Sequence, residues 1–453
     1  MNHNVKRSLT LAAALLALQT GGTMMETTYG WIAPIAAPTA EAAKVKADKD
    51  GYVPKVEAVQ PQEKVDLAKL AVPDVSAADP KATPKTQALL KYLGAVAGSD
   101  QILYGHQNDM HRKVGKQLPS DSDTYDITGD YPAIVGMDGL ALTGNELELT
   151  DEERAAGLTL PKKLAQVAIK ADKEGAIVSM SCHMPNFAEV AQRARLADGS
   201  YDYGGYSPDH TDGNVVQRIL PGGNLNEVFN GYLDLVAEFD GYLQDADVPL
   251  LFRPFHENTG SWFWWGAGHC TPSEFRQLFQ YTETYLQKKG LHNILYVYSP
   301  GGAELKSEGD YGLTYPGNPY VDILGFDMYQ RDPERGDGFL EEDFPSVLGI
   351  VEHFAASHHK VAAVTETGML VGKSAMAKKH NGYKNWFTDA MNVMRKYKMA
   401  YFLTWSNFDE TNFDQPYMVD ETRGHEMINE FIDFYNAPAS VFAKQNADYT
   451  TLE

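Results

Sequence analysis

Eight short apolar runs, spread along the chain and each ending in polar or aromatic residues, constrain the fold more than any other feature of this sequence. They are Ile102–Gln107, Pro132–Asp138, Ala176–Met184, Val248–Glu257, Ile294–Pro300, Val321–Gln330, Val361–Gly368 and Tyr401–Phe408. Near-continuous apolar strands rich in β-branched residues suit a sheet covered on both faces, as parallel sheets are. Amphipathic helix candidates stand between most of them: Pro161–Lys173, Asn226–Leu243, Pro272–Lys289, Phe344–His358, Gly382–Tyr397 and Glu426–Tyr435. Strand and helix alternating in this way predict an α/β fold, a single (β/α)8 TIM barrel. An open doubly wound sheet is the rival, but no glycine-rich phosphate loop follows the first run.

In such a barrel the chemistry sits where strands end and βα loops begin. The strand ends here carry His106, His183, His256 with Glu257, Asp327 with Tyr329, Glu366, and Trp405. Period-two alternation groups Arg253, Phe255 and Glu257 on one side of the fourth strand. It groups Asp327 with Tyr329 on the sixth and Val364 with Glu366 on the seventh. On the third strand Ser179, Ser181 and His183 share a face, and Cys182 takes the opposite one as a packing thiol.

The stretch Leu250–Gly266, LLFRPFHENTGSWFWWG, places a glutamate beside the aromatics Trp262, Phe263, Trp264 and Trp265. Large aromatics in a polar, turn-rich loop need something to stack on them, and a sugar ring offers an apolar face. A glycosidic bond needs a proton donor and a second carboxylate. Glu257 and Glu366 are that pair. Arg253 projecting toward Glu366 favours its carboxylate, and the Tyr329 hydroxyl is placed to bond it. Glu257, in a more apolar setting, suits the donor. Of the four aromatics, Trp262 is the one expected on the substrate, with at least one other packed into the protein. His106 is as compatible with a satisfied structural histidine as with the rim. The aromatic turn Tyr201–Tyr206 reads as surface loop ahead of an outer sugar subsite.

RPFHE followed by NTGSWFWWG, then GFDMY, TETG and TWSN, resembles glycoside hydrolase family 26, best known for β-mannanases; the likeness runs over roughly Leu103–Phe408. It implies a retaining mechanism on a catalytic (β/α)8 domain, with Glu257 as acid/base and Glu366 as nucleophile. It further implies that His256 orients the site, that Trp262 lines the pocket and that Tyr329 bonds the nucleophile. By the same resemblance His183 is expected to contact the sugar before the scissile bond and Trp405 to stack beneath it. Arg253 and Asp327 support this set. The implied activity is endo-β-1,4-mannan hydrolysis, on mannan, glucomannan or galactomannan. β-1,3-Xylan, mixed-linkage β-glucan and exo-release of mannobiose remain alternatives within the family. A metal-dependent hydrolase built on His106, His183 and His256 is disfavoured because no paired His-x-His ends the first strand. A non-catalytic glycan-binding barrel is disfavoured because both carboxylates are present. No metal or other cofactor is called for.

The termini and the charge complete the reading. Lys6 and Arg7 precede the apolar run Leu9–Leu18, too short to span a bilayer but fit for the core of a secretory signal. Residues 1–42 are therefore expected to be a leader cut near Ala40-Glu41-Ala42, and the mature chain to be extracellular. Residues 43–85 read as a linker or loose arm, 86–440 as the catalytic barrel and 441–453 as a tail. A formal net charge of −22 disfavours nucleic acid and anionic membranes as partners and leaves neutral polymers acceptable. A monomer is expected. Two cysteines, Cys182 and Cys270, permit one disulfide at most.

Overall fold

The computed structural model describes residues 58–115, 118–370, 376, 379–410, 413–415, 417–420 and 425–452; the expected leader lies outside them. Eight parallel strands form the barrel: β1 Ile102–Gln107, β2 Ile134–Asp138, β3 Ile177–Cys182, β4 Leu250–Pro254 and β5 Ile294–Tyr298. They continue as β6, in two pieces (Ile323–Leu324 and Asp327–Gln330), β7 Val361–Met369 and β8 Met399–Thr404. Each pairs with the next, and β8 returns to β1 through Leu103↔Tyr401 to His106↔Thr404, which closes the sheet.

Alternation sorts the strand side chains into two cores. Leu103, Ile134, Ile177, Leu251, Leu295, Ile323 and Leu403 belong to one buried cluster inside the barrel. Tyr104, Val135, Val178, Phe252, Tyr296 and Phe402 belong to a second, between sheet and helices. Fully burying a side chain of this size stabilises by roughly 1.5–3 kcal/mol, so a polar residue on either layer is costly unless paired. The helix α1, Pro84–Ala97, is capped by Thr83 with Pro84 at its first position. It sends Leu89, Leu93 and Val96 into the interior cluster and so floors the barrel. The outer helix Pro272–Lys288 starts with a Thr271–Glu274 capping box, which satisfies end N–H groups that would otherwise be orphaned.

The described part of the expected linker, 58–83, lies against this floor. Val65 is buried in the interior cluster, with Leu67, Leu70, Val75 and Ala77 packed on it. The Ala78 N–H donates to Asp322 Oδ1 at 2.6 Å. At the other end Ser440–Val441 pairs with β1, and Tyr449 stacks on Tyr92 at 5.6 Å. The boundaries expected at 85 and 440 thus fall inside packed segments.

Two alternation readings fail at the rim, for backbone reasons. β4 ends at Pro254, and Phe255 and Glu257 both take a left-handed backbone, φ 53° each. Phe255 does not share the face of Arg253; its ring packs outward among Phe229, Trp264, Trp265 and Phe275. On β7 the register against β8 shifts between Val364 and Thr367. Val364 belongs to the outer core, whereas Glu366 two residues on reaches the interior. Left-handed non-glycine residues and bulges of this kind re-aim side chains and gather at functional sites.

Candidate active site

The site is assembled around Arg253, buried on β4. Its guanidinium reaches Asp327 Oδ2 at 2.5 Å and Glu366 Oε2 at 2.7 Å. Asp327 is further held by the Ser299 hydroxyl at 2.7 Å and the Thr365 hydroxyl at 2.8 Å. A buried ion pair is tolerable only when its remaining polar atoms are satisfied in this way. Burial alone would discharge Arg253, but Asp327 and Glu366 outweigh it and push its pKa above the ordinary value. The second oxygen of Glu366 accepts from the Tyr329 hydroxyl at 2.5 Å. Glu366 is thus pinned by one cationic and one neutral donor, as the sequence led one to expect for Arg253 and Tyr329.

Glu257 sits in a different environment. Its backbone N–H donates to the Ser299 carbonyl at 2.8 Å, and its Oε2 accepts from the Trp262 indole at 2.6 Å. Burial, reinforced by the negative charges of Glu366 and Asp327, pushes its pKa up to about 8. The Trp262 hydrogen bond and His183 pull the other way without prevailing. Glu257 therefore carries a proton at neutral pH.

The aromatic run divides as its packing dictates. Trp264 and Trp265 are fully buried, Phe263 is stacked on Trp265 at 4.6 Å, and Trp262 alone of the four is exposed, at 39%. Trp265 spends its indole N–H on the His256 carbonyl at 2.8 Å and Trp264 on that of Met184 at 3.1 Å. His183 lines the cleft with its ring centroid 5.5 Å from that of Trp405. His256 does not line it: it is buried behind His183, with Nε2 3.2 Å from His183 Nε2.

Together these residues bound a cleft of about 580 Å³ lined by His183, Glu257, Trp262, Asp327, Tyr329, Glu366 and Trp405. The cleft also draws on residues that sequence reasoning missed: Gly301–Lys306 after β5, Arg331, Asp332 and Asp337 after β6, and Tyr417. None stands in a motif; only the βα-loop position marked them. Asp138, at the end of β2 and bonded to His183, was also missed, although a carboxylate ending an apolar strand was a visible signal. His106 lies outside the lining and is buried with Nδ1 2.7 Å from Asp109 Oδ1, which fits the structural reading. Cys182 and Cys270 are both free thiols. Among the described residues, no group of three or more His, Cys, Asp or Glu side chains is arranged to hold a metal ion.

A family model described as glycosyl hydrolase family 26 matches residues 78–418. A mannan endo-1,4-β-mannosidase of Bifidobacterium adolescentis is 32% identical over 403 residues; the match covers 83% of this chain but 38% of that longer protein. One from Bacillus subtilis (strain 168) is 25% identical, with 74% of this chain and 82% of that protein covered. Among solved structures, the catalytic domain of a Bacillus sp. JAMB-750 endo-β-1,4-mannanase aligns with a TM-score of 0.71 and 32% identity. That alignment covers 84% of this chain and 96% of that one. A modular endo-β-1,4-mannanase from Cellulomonas fimi aligns at 0.68 and 32%, covering 82% and 78%.

Proposed function

The chain belongs to glycosyl hydrolase family 26 and is a glycoside hydrolase; on that footing we propose that it is a secreted, retaining endo-β-1,4-mannanase. The observation that carries the mechanism is the contrast between two carboxyl groups on one cleft. Glu366 receives the Arg253 guanidinium and the Tyr329 hydroxyl, while Glu257 has a pKa of about 8. Environments that separate two carboxyls in this manner assign the nucleophile and the acid.

In the first step Glu366 attacks the anomeric carbon as its bond to the glycosidic oxygen breaks, and Glu257 gives that oxygen its proton. In the second step water attacks the same carbon, Glu257 takes a proton from the water, and the ester bond to Glu366 breaks. Trp405 and His183 hold the sugar that forms the ester, and Trp262 stacks on the departing part. His256 acts by holding His183. The substrate is β-1,4-mannan, glucomannan or galactomannan, as the names of the relatives support.

The test is product analysis by mass spectrometry, with linear manno-oligosaccharides and a panel of mannan, glucomannan, β-1,3-xylan and mixed-linkage β-glucan. Internal cleavage of mannan is expected, with the other backbones cut far more slowly. Preferential cleavage of β-1,3-xylan or mixed-linkage glucan would replace the substrate reading, and mannobiose as sole initial product would replace the endo reading. Secretion predicts a mature chain in the culture medium beginning near Ala43.

The Trp262 hydrogen bond also sets a pH dependence. It stabilises the charged form of Glu257, so Trp262→Phe removes a downward pull on a pKa already near 8. The acid then stays protonated to higher pH, and the alkaline limb of kcat/KM moves up. Loss of the wider stacking surface raises KM at the same time. A pH–rate series on both proteins checks the sign; a limb that moved down would contradict the assignment of that limb to Glu257.

A further inference from the structure

We propose that Asp138, at the carboxyl end of β2, is a positioning residue for the reaction, acting on the cleft through His183. The proposal rests on reading this cleft as the glycoside-cleaving site. Asp138 is fully buried and accepts four hydrogen bonds, as many as an ionised carboxylate has lone-pair directions to offer. One oxygen takes the Ser181 hydroxyl at 2.6 Å and His183 Nδ1 at 2.8 Å. The other takes the backbone N–H groups of His183 and Leu140, both at 3.0 Å. Backbone and ring of His183 are therefore clamped by the same side chain. Little can shift behind the clamp, since a Cβ on Gly139, the next residue, would collide with the Tyr232 hydroxyl and Cys182 Sγ.

The consequence is a defined proton order. An acceptor-only carboxylate against Nδ1 requires the His183 proton there, which turns Nε2 toward His256 Nε2 at 3.2 Å. The His256 Nδ1 is buried without a partner, so the line ends in a neutral ring: carboxylate, imidazole, imidazole. Burial disfavours charge on His183, but Asp138 outweighs it and raises the pKa. The other groups acting on His183 are Glu366 and Glu146, with Glu257, His256 and Tyr206 around it. His183 is among the groups that draw the Glu257 pKa down, so the carboxylate at the end of β2 reaches the proton donor in the turn after β4 without touching the substrate. Fixing the ring also sets the edge that His183 shows to the sugar beside Trp405.

The experiment is a double-mutant cycle on mannan hydrolysis with Asp138→Asn, His183→Ala and both together. Acting through His183, Asp138→Asn lowers kcat/KM by about tenfold or more, chiefly in kcat, and raises the alkaline limb as the downward pull of His183 on Glu257 weakens. In the His183→Ala background the same change costs less than about twofold. An equal penalty in both backgrounds overturns the proposal and leaves Asp138 a purely structural group. Proton NMR provides an arm independent of substrate and of how well Asp138→Asn folds. The wild type should show a protected downfield imidazole N–H resonance that is missing from His183→Gln; its absence from the wild type also overturns the proposal. If the wild type cuts no mannan, the substrate reading fails, while the resonance still decides the Asp138–His183 bond.

Discussion

Glu366→Ala should lower kcat on mannan by about 10⁴-fold or more, since it deletes the group proposed to form the glycosyl ester and nothing adjacent can replace it. Asp327 lies close but is consumed by Arg253, Ser299 and Thr365, and its carboxylate is completely buried on the floor of the site. The truncation leaves a space in front of Arg253 Nη2, a guanidinium nitrogen that has lost its 2.7 Å partner. Leaving that buried charge half-paired costs about 1–3 kcal/mol of stability, visible as a lower melting temperature, with the fold retained. The same space and charge suit a small anion. Added azide should restore turnover of a β-glycoside with a good leaving group and yield the α-glycosyl azide, by one displacement in place of two. Residual activity within tenfold of wild type would remove Glu366 from the nucleophile role. A β-configured azide product would remove the single-displacement account.

Much of this geometry was legible in the chain, because each part depended on a local rule. Eight apolar runs with helices between them are enough for the barrel. Two glutamates at the ends of the fourth and seventh strands, with Arg253 one residue inside the end of the fourth, are enough for the Glu366 ion pair. Reading failed where the backbone left the regular strand. Phe255 was expected inside because alternation holds only while φ stays extended, and a left-handed φ of 53° sends it into the outer core. Val364 and Glu366 were grouped on one face because a bulge has no sequence mark when no glycine sits at the extra residue. His256, directly before Glu257, was expected through the family resemblance to orient the site, and it does not line the cleft. The turn that presents Glu257 rotates its neighbour inward, behind His183.

Residues whose role depends on barrel closure form a second class. Asp138 and His183 are 45 positions apart, and their contact follows from β2 and β3 being neighbours in the sheet. Arg253 and Glu366 are 113 apart and were paired only because strands four and seven were both assigned. The arm at 58–83 has too few apolar residues for any period to show. Val65, Leu67 and Leu70 nevertheless suffice to seat it, since the floor they cover is already built by α1.

Glu257→Ala, by contrast with the loss of Glu366, should have an effect that depends on what leaves. On mannan the departing oxygen belongs to a sugar, a poor leaving group that must be protonated, and kcat/KM should fall by about 10³-fold or more. With a dinitrophenyl β-glycoside no proton is needed for departure, so attack by Glu366 should persist within about tenfold of wild type. The second step then lacks its base, the ester accumulates, and a burst of phenolate precedes a slow steady state. Azide, which needs no base, should speed that steady state and give the β-glycosyl azide, the opposite anomer to the Glu366→Ala product. The alkaline limb near pH 8 should also vanish from kcat/KM on the activated substrate, because the group responsible for it is gone. If Glu257→Ala were equally damaged on both substrates, Glu257 would be holding the site together and not supplying the proton. The pH assignment argues against that outcome. A carboxyl raised by burial and by two neighbouring carboxylates must take up a proton for the chain to fold at neutral pH, and its removal lifts that cost. Loss of activity on mannan with unchanged or increased thermal stability is therefore the expected combination.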